Sequence, residues 1–223
     1  MNQETITILT SRDKFVLAWL ALGLVWNFFS SLVGWGWITA TIITFGILII
    51  AAIYIYHKRD GLLAKFILFG VIAGLVELLA DRYLVEVTGT LVYEKGGPFL
   101  LRSPLYMPFA WAGVLVTLGY VGWRLRQVLG LPWATFLAGI IGAINIPLYE
   151  QWARSAHWWY YQNTPMLGAT PWYIIVGEFL IVALLPFLLQ KLEILHPVQI
   201  IPLGIIEGLW IWICYALTFQ LLG

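Results

Sequence analysis

Long apolar runs recur along the whole chain, and they set the first limit on how it can fold. Each run is close to the roughly 20 residues that a helix needs to cross a hydrocarbon core about 30 Å thick. The 223 residues are 61% hydrophobic and 10% charged, whereas a soluble domain carries roughly 25% charged residues. The pattern predicts an all-α, polytopic transmembrane helix bundle that occupies residues 1–223 as a single domain.

Hydropathy divides the chain into seven predicted spans, each with boundaries good to about 2–4 residues. They cover residues 15–34, 37–56, 63–83, 105–124, 132–152, 172–190 and 198–220. The first run lacks a small-residue cleavage signature, so we expect it to remain as a span rather than to be removed as a signal peptide. Two long, aromatic connections, 84–104 and 153–171, alternate with short basic turns.

Positive charges are shared unequally between the two faces of this arrangement. One face holds eight cations, Arg12, Lys14, Lys58, Arg59, Lys65, Arg124, Arg126 and Lys191. The other face holds four, Arg82, Lys95, Arg102 and Arg154. Because cytoplasmic segments carry the excess of Lys and Arg, we expect the N-terminus in the cytoplasm, with the C-terminus and both long connections on the opposite side.

The two long connections share a pattern of tyrosines and prolines at a constant offset of 67 residues. The matching positions are Tyr93, Pro98, Pro104 and Tyr106 in the first, and Tyr160, Pro165, Pro171 and Tyr173 in the second. The pattern predicts a parallel tandem repeat of spans 3–4 and 5–6. Alternatively, the match reflects only the frequency of Pro and Tyr at membrane interfaces.

Polar side chains fall at similar depths in separate spans. Glu77 and Glu178 are each about six residues from one end of their spans, so at 1.5 Å per residue both lie roughly 9 Å below the membrane boundary. Asn145 lies at a similar depth, with Tyr149 and Glu150 one turn above it. A carboxylate near the bilayer centre costs at least about 2.5–3.5 kcal/mol, so such acids normally face the bundle interior and indicate function.

Glu77 and Asp81 are four residues apart and therefore share a helix face. Two carboxyls in one such site should not both ionise, so one of them would hold a proton, as a general acid or a proton relay requires. The alternative is structural: Asp81 pairs with Arg82, Arg102 or Arg154, and Glu77 hydrogen-bonds a neighbouring helix.

Two further glutamates each allow a structural and a functional interpretation. Glu150 and Arg154 are also four residues apart, and an interfacial ion pair is the expected arrangement there. Glu207, near the midplane of span 7, has no partner in sequence. It is either protonated structural glue between helices or a functional group.

Aromatic residues are unusually abundant, with 13 Trp, 11 Tyr and 12 Phe. Interfacial belts explain most of them. Five lie near the layer of acids and, together with Asn145 and Glu207, are candidates to bind substrate: Tyr106, Trp111, Tyr149, Trp172 and Tyr173. Aromatic faces beside a protonated carboxyl could stabilise a cationic intermediate.

Several classes of function are excluded by what the sequence lacks. Its net charge of +1 argues against nucleic-acid binding. Cys214 is the only cysteine, so no multi-cysteine metal site can form within one chain. The three histidines lack the spacing of a histidine-box di-iron site, and no Walker loop is present. We therefore expect no metal and no cofactor.

Spans 3 to 6 resemble, in layout, the membrane-embedded carotenoid-biosynthesis family that includes the carotenoid 1,2-hydratases. The first region of resemblance is Glu77-Leu78-Leu79 followed by Gly89, Tyr93, Pro104, Pro108 and Trp111. The second is Trp158-x-Tyr160, Gly168, Pro171 and Trp172. The resemblance implies chemistry on a long polyisoprenoid with Glu77 as the acid. The chain departs from that layout at Tyr149-Glu150, where an Asp-Pro step is expected, and this leaves the reaction open.

The leading functional hypothesis is a membrane enzyme that hydrates or cyclises a lipophilic isoprenoid by acid catalysis. Glu77 would be the general acid and Asp81 would modulate it. The main rival is a proton- or cation-coupled transporter that uses Glu77, Glu178 and Glu207. A third hypothesis is a non-catalytic subunit of a membrane complex. The expected partners are a lipophilic small molecule and the lipid bilayer, and the oligomeric state stays open.

Overall fold

Seven helices make up most of the protein in a computed structural model that describes residues 9–94 and 96–223. They are α1 (Ser11–Val33), α2 (Trp37–Lys58), α3 (Gly61–Arg82), α4 (Met107–Leu129), α5 (Leu131–Ser155), α6 (Trp172–Leu188) and α7 (Pro197–Leu222). Their order and positions agree with the predicted spans to within a few residues. Lys95, one of the four cations of the second face, lies outside the described residues.

Within the described part of the chain, five helices are long and apolar enough to cross a membrane: α1, α2, α3 with the turn that follows it, α5 and α7. Helix α6 is apolar but has 17 residues. The protein is therefore an all-α, multi-pass membrane protein.

Helix ends lie where the local sequence favours them. Thr10 caps α1 by accepting a hydrogen bond from the backbone N–H of Asp13, whose side chain in turn accepts one from the Thr10 N–H. Asp60 is the N-cap residue of α3, and its side chain accepts a hydrogen bond from the backbone N–H of Leu63. Gly130 separates α4 from α5 with a φ of 78°, a conformation that glycine adopts without a steric penalty.

Glycines allow close packing of three helix pairs. A Cβ atom added at Gly74 of α3 would overlap the backbone carbonyl of Pro108 in α4. Gly142 brings α5 close to α6, and Gly208 brings α7 close to α3. Small residues at such contacts are how helices associate in a bilayer, where the hydrophobic effect gives little attraction between them. Helices α3 to α7 thus form the packed body, while α1 and α2 lie beside it and contact it less extensively.

The two long connections contain regular structure, namely a π-helical turn and six short strands. The turn is Tyr83–Val87, and the strands are β1 (Leu91–Tyr93), β2 (Phe99–Leu100), β3 (Ser103–Pro104), β4 (Trp159–Tyr161), β5 (Met166–Leu167) and β6 (Thr170–Pro171). Strands β1 and β4 pair antiparallel and join the two connections into one cap over the bundle. Hydropathy gave no signal for such short strands, since most strand signals need a run of four or more residues.

Each connection also contains one small hairpin, β2–β3 in the first and β5–β6 in the second. Phe99 pairs with Pro104, and Met166 pairs with Pro171, so the two hairpins have the same register 67 residues apart. Their turns match as well: Leu101 and Gly168, again 67 residues apart, both have left-handed backbone conformations, with φ of 56° and 64°.

Candidate functional site

A partly open cavity of about 70 Å³ lies in the packed body, beneath strands β1 and β4. Three carboxyl groups line it: Asp81 at the end of α3, Glu150 at the end of α5 and Glu178 near the start of α6. All three side chains are buried. The matching depths seen in the sequence therefore do bring acids from separate helices together.

Each of these carboxyls accepts one hydrogen bond from an aromatic side chain. The donors are Tyr93 to Asp81, Trp159 Nε1 to Glu150 at 2.6 Å, and Tyr215 to Glu178 at 2.6 Å. In the described part of the chain, no salt bridge involves any of the three acids. These three carboxyls are therefore held by aromatic hydrogen-bond donors and not by ion pairs. A buried charge without a cation would be costly.

Two tyrosines from the connecting strands complete the polar wall of the cavity. Burial, reinforced by the Asp81 carboxyl, raises the pKa of the Tyr93 phenol well above its usual range. Burial, with the Glu150 carboxyl nearby, also raises the pKa of Tyr161. Both phenols therefore stay protonated at neutral pH, and Tyr93 donates its hydroxyl hydrogen to Asp81.

Aromatic rings form most of the remaining wall. The lining rings are Tyr93, Trp111, Tyr149, Trp159, Tyr161 and Tyr215. They pack against one another, with centroid distances of 5.7 Å between Tyr149 and Trp159 and 6.5 Å between Trp111 and Tyr215. Such rings attract a cation over their faces, and this attraction grows when water is excluded.

Glu77 does not line the cavity but lies behind Asp81. The Asp81 carboxyl faces both Glu77 and Ser103, yet both Glu77 oxygens and the Ser103 hydroxyl lack a hydrogen-bond partner at normal distance among the described residues. Glu207 is also fully buried with both oxygens unpartnered in that part of the chain, and it lies near Glu178. The carboxyls thus continue from the cavity into the helix core.

The other predicted binding residues divide into two groups. Asn145, Tyr149 and Trp111 line the cavity. Tyr106, Trp172 and Tyr173 do not: Tyr106 is buried elsewhere, Trp172 exposes 44% of its surface, and the Tyr173 hydroxyl shares a hydrogen bond with Thr90 at 2.7 Å. Sequence spacing could not give the direction of these three side chains.

The expected ion pairs at this end of the bundle were wrong. Glu150 binds Trp159 rather than Arg154, which is exposed. Arg82 and Arg102 both pair with Glu86 and not with Asp81. Arginine therefore binds the exposed acid of the π-helical turn and leaves the buried acids to aromatic donors.

Four aromatic residues of the cavity wall were not predicted as site residues, namely Tyr93, Trp159, Tyr161 and Tyr215. Tyr93 belonged to the repeated pattern, and Trp159 and Tyr161 belonged to an aromatic cluster, so both signals pointed to the right segments. Tyr215 gave no signal, because only the packing of α7 against α6 brings it to Glu178. No three His, Cys, Asp or Glu side chains of the described chain converge as a set of metal ligands.

The fold and the cavity define a multi-pass helical membrane protein with three buried carboxyl groups around a cavity in its core. Residues 78–222 match a domain of unknown function, DUF6989, and the chain belongs to that family. The matched segment begins one residue after Glu77 and contains all three cavity acids, whereas α1, α2 and most of α3 precede it. No curated protein and no solved structure matches the chain.

Proposed function

We propose that the protein is an integral membrane enzyme that protonates a double bond of a lipophilic isoprenoid, leading to hydration or cyclisation. The observation that carries this proposal is the meeting of Asp81, Glu150 and Glu178 in one aromatic-walled cavity without a cation partner in the described chain. An uncharged carboxyl is a proton donor, and aromatic faces favour the cation that forms when an alkene is protonated.

The proposed reaction has two steps, a proton transfer to the double bond and an addition to the resulting cation. A carboxyl gives its proton to one alkene carbon, and the neighbouring carbon becomes cationic. In hydration, water adds to that carbon and returns a proton to the carboxylate. In cyclisation, a second double bond adds to it, and the new ring cation loses a proton to the carboxylate. A cavity of about 70 Å³ has room for a few water molecules.

Asp81 is the acid that we assign to the donor role, because it faces the cavity and Glu77 does not. Glu77, directly behind it, would modulate the acidity of Asp81, because two adjacent carboxyls do not both ionise. This assignment exchanges the roles that sequence spacing gave to the two residues.

The test compares lipid extracts of cells that express the protein, the Asp81→Asn variant or no protein, supplied with isoprenoids in the same membrane. Loss of a general acid is expected to lower product formation by about 10²–10⁴-fold. Glu86→Gln is the matched control, since Glu86 is an acid at the same end of the bundle that pairs with Arg82 and lies outside the cavity. Full product formation by inserted Asp81→Asn would remove Asp81 from the mechanism.

A second function, proton-coupled transport, is favoured by one specific observation. Glu77 and Glu207 extend the carboxyl cluster beyond the cavity into the helix core, as a proton path would require. Transport predicts a pH-driven flux in proteoliposomes that Glu207→Gln abolishes, whereas the enzyme hypothesis predicts no such flux. An inert protein in both assays would favour a non-catalytic subunit.

The proposed function includes a topology in which all seven helices cross the membrane with the N-terminus in the cytoplasm. Asp81, Met107, Glu150 and Glu178 line one cavity although they lie at the end of α3, the start of α4, the end of α5 and the start of α6. The lining residues thus lie alternately at the end of one helix and at the start of the next. This alternation is expected when successive helices cross the membrane in opposite directions. The excess of cations at the opposite end favours a cytoplasmic location for that end.

We also infer that α3–α4 and α5–α6 derive from a tandem duplication. The support is the shared register of the two hairpins and the matching left-handed residues, Leu101 and Gly168. A leucine in that conformation is sterically unfavourable, so its presence opposite a glycine favours inheritance of the turn over independent choice of it.

A further inference from the structure

A second cavity of about 140 Å³ lies beside the acid cavity, between α1, α2, α4 and α5. We call it the lateral groove. It extends along α4 from Phe109 to Leu118, which is about 14 Å at the rise of a helix. Its lining is mostly apolar, and the body and the two additional helices α1 and α2 contribute opposite walls.

The lateral groove and the acid cavity meet. Five side chains line both spaces: Ala110, Val114, Leu118, Asn145 and Tyr149. A molecule that filled the groove would therefore touch the same side chains as a molecule in the acid cavity.

Asn145 is the side-chain amide at this junction, where Tyr149 adds a phenol. Asn145 is exposed although it lies within the membrane-spanning helix α5. An amide that faces neither protein nor water costs free energy in a bilayer. Its position is explained if it binds the polar or reactive end of a ligand that occupies both spaces.

Two glycines keep the groove open. A Cβ atom added at Gly23 of α1 would meet no atom within 4 Å, and one added at Gly113 of α4 would meet only Trp19, at 3.7 Å. Leu24, at the edge of the groove, exposes 46% of its surface. The groove thus has unfilled space and an edge that faces the hydrocarbon of the membrane.

We propose that the lateral groove binds the hydrocarbon chain of a neutral, single-chain lipid, which enters sideways from the bilayer and places its reactive end at Asn145. This inference rests on the proposed function, since it identifies the ligand as the substrate. A phospholipid fits less well, because its phosphate would meet three acids without a cation in the described chain. Helices α1 and α2, which precede the matched family segment, would then complete the binding site.

The experiment uses a photoreactive analogue of geranylgeraniol with a diazirine at the end of its chain, added to the purified protein in lipid nanodiscs. Peptide mapping should find the label on groove residues of α1 and α4, and unlabelled geranylgeraniol should compete. In Gly23→Leu and Gly113→Leu, labelling should fall by about tenfold, because the new side chain displaces roughly two buried methylenes of the ligand.

Gly46→Leu is the matched control, because a Cβ atom at Gly46 of α2 also meets no atom within 4 Å, and Gly46 does not line the groove. It should label like the original protein. Label spread over exposed helix faces, or labelling unchanged by Gly23→Leu, would overturn the proposal.

Failure here and failure of the proposed function are separable. Asp81→Asn should keep the label while losing product formation. Loss of labelling in Gly23→Leu together with full activity of Asp81→Asn would leave the groove as a lipid site and remove the acid mechanism. Unchanged labelling in Gly23→Leu with an inactive Asp81→Asn would do the reverse.

Discussion

The two ends of the helix bundle treat buried carboxyl groups in opposite ways. At the end beneath the strands, Asp81, Glu150 and Glu178 bind aromatic donors. At the other end, Asp13 pairs with Arg124 at 3.0 Å and Asp60 pairs with Arg12 at 2.7 Å. We call these the cavity end and the arginine end.

The difference separates the acids that serve the fold from the acids that our proposal assigns to chemistry. Asp13 and Asp60 cap helices, bind arginine and join α1 to its neighbours, so their charges contribute to structure. The cavity acids cap no helix and face open space. A protein that needed only stability at the cavity end could use apolar residues there at no loss, since buried charges seldom add net stability.

The largest expected effect is on activity. Glu178→Gln should reduce product formation by about 10²-fold or more, because it removes a group that can exchange protons at the cavity. Asp13→Asn, the same neutralisation at the arginine end, should leave activity per folded molecule nearly unchanged. The measurement is product per inserted protein in lipid extracts. Equal losses in the two variants would erase the functional distinction between the ends.

The next effect is on stability and has the opposite distribution. Asp13→Asn should lower the free energy of unfolding by about 2 kcal/mol, because it weakens an ion pair, a capping box and a hydrogen bond from Tyr120. Glu178→Gln should change it by less than about 1 kcal/mol, because no cation is left behind. Thermal unfolding in detergent, followed by size-exclusion chromatography, measures both. A larger loss in Glu178→Gln would show that the cavity acids support the fold.

A matched pair of tyrosines sharpens the comparison. Tyr215 donates to Glu178 and Tyr120 donates to Asp13, both at 2.6 Å. Tyr215→Phe leaves Glu178 without its donor and should lower activity by about tenfold, which corresponds to one hydrogen bond to a charged or polar acceptor. Tyr120→Phe should cost about 1 kcal/mol of stability and little activity, since Arg124 still binds Asp13. Activity and thermal stability of both variants are measured side by side. Equal losses of activity, or equal losses of stability, in Tyr215→Phe and Tyr120→Phe would contradict the comparison.

The smallest effect concerns the ion pair of Arg12 and Asp60. A double-mutant cycle with Arg12→Met and Asp60→Asn should give a coupling free energy of about 0.5–1 kcal/mol, because the Arg12 side chain is 26% exposed and partly screened by water. Urea or thermal unfolding of the four proteins measures it. Zero coupling would mean that Asp60 contributes only as a helix cap.

Much of the helical framework could be predicted from sequence, because membrane crossing demands long apolar runs that hydropathy detects directly. The depth of Glu150 and Glu178 followed from counting residues along a helix. The side-chain direction of Glu77 could not be predicted in this way. Whether Glu77 or Asp81 faces the cavity depends on how α3 is rotated against α4, which it approaches closely at Gly74. The strand pair β1–β4 and the donor Tyr215 depend on contacts between distant segments, for which neither local pattern gives a signal.

Solvent-deuterium transfer tests the central claim most directly. Membranes that contain the protein and isoprenoid lipids are incubated in D₂O, and the extracted lipids are analysed by mass spectrometry. Proton transfer from a cavity carboxyl to an alkene carbon predicts a product with carbon-bound deuterium, absent when Asp81→Asn replaces the original protein. Lipids that carry no carbon-bound deuterium, or the same amount of it with Asp81→Asn, would contradict acid catalysis at this cavity.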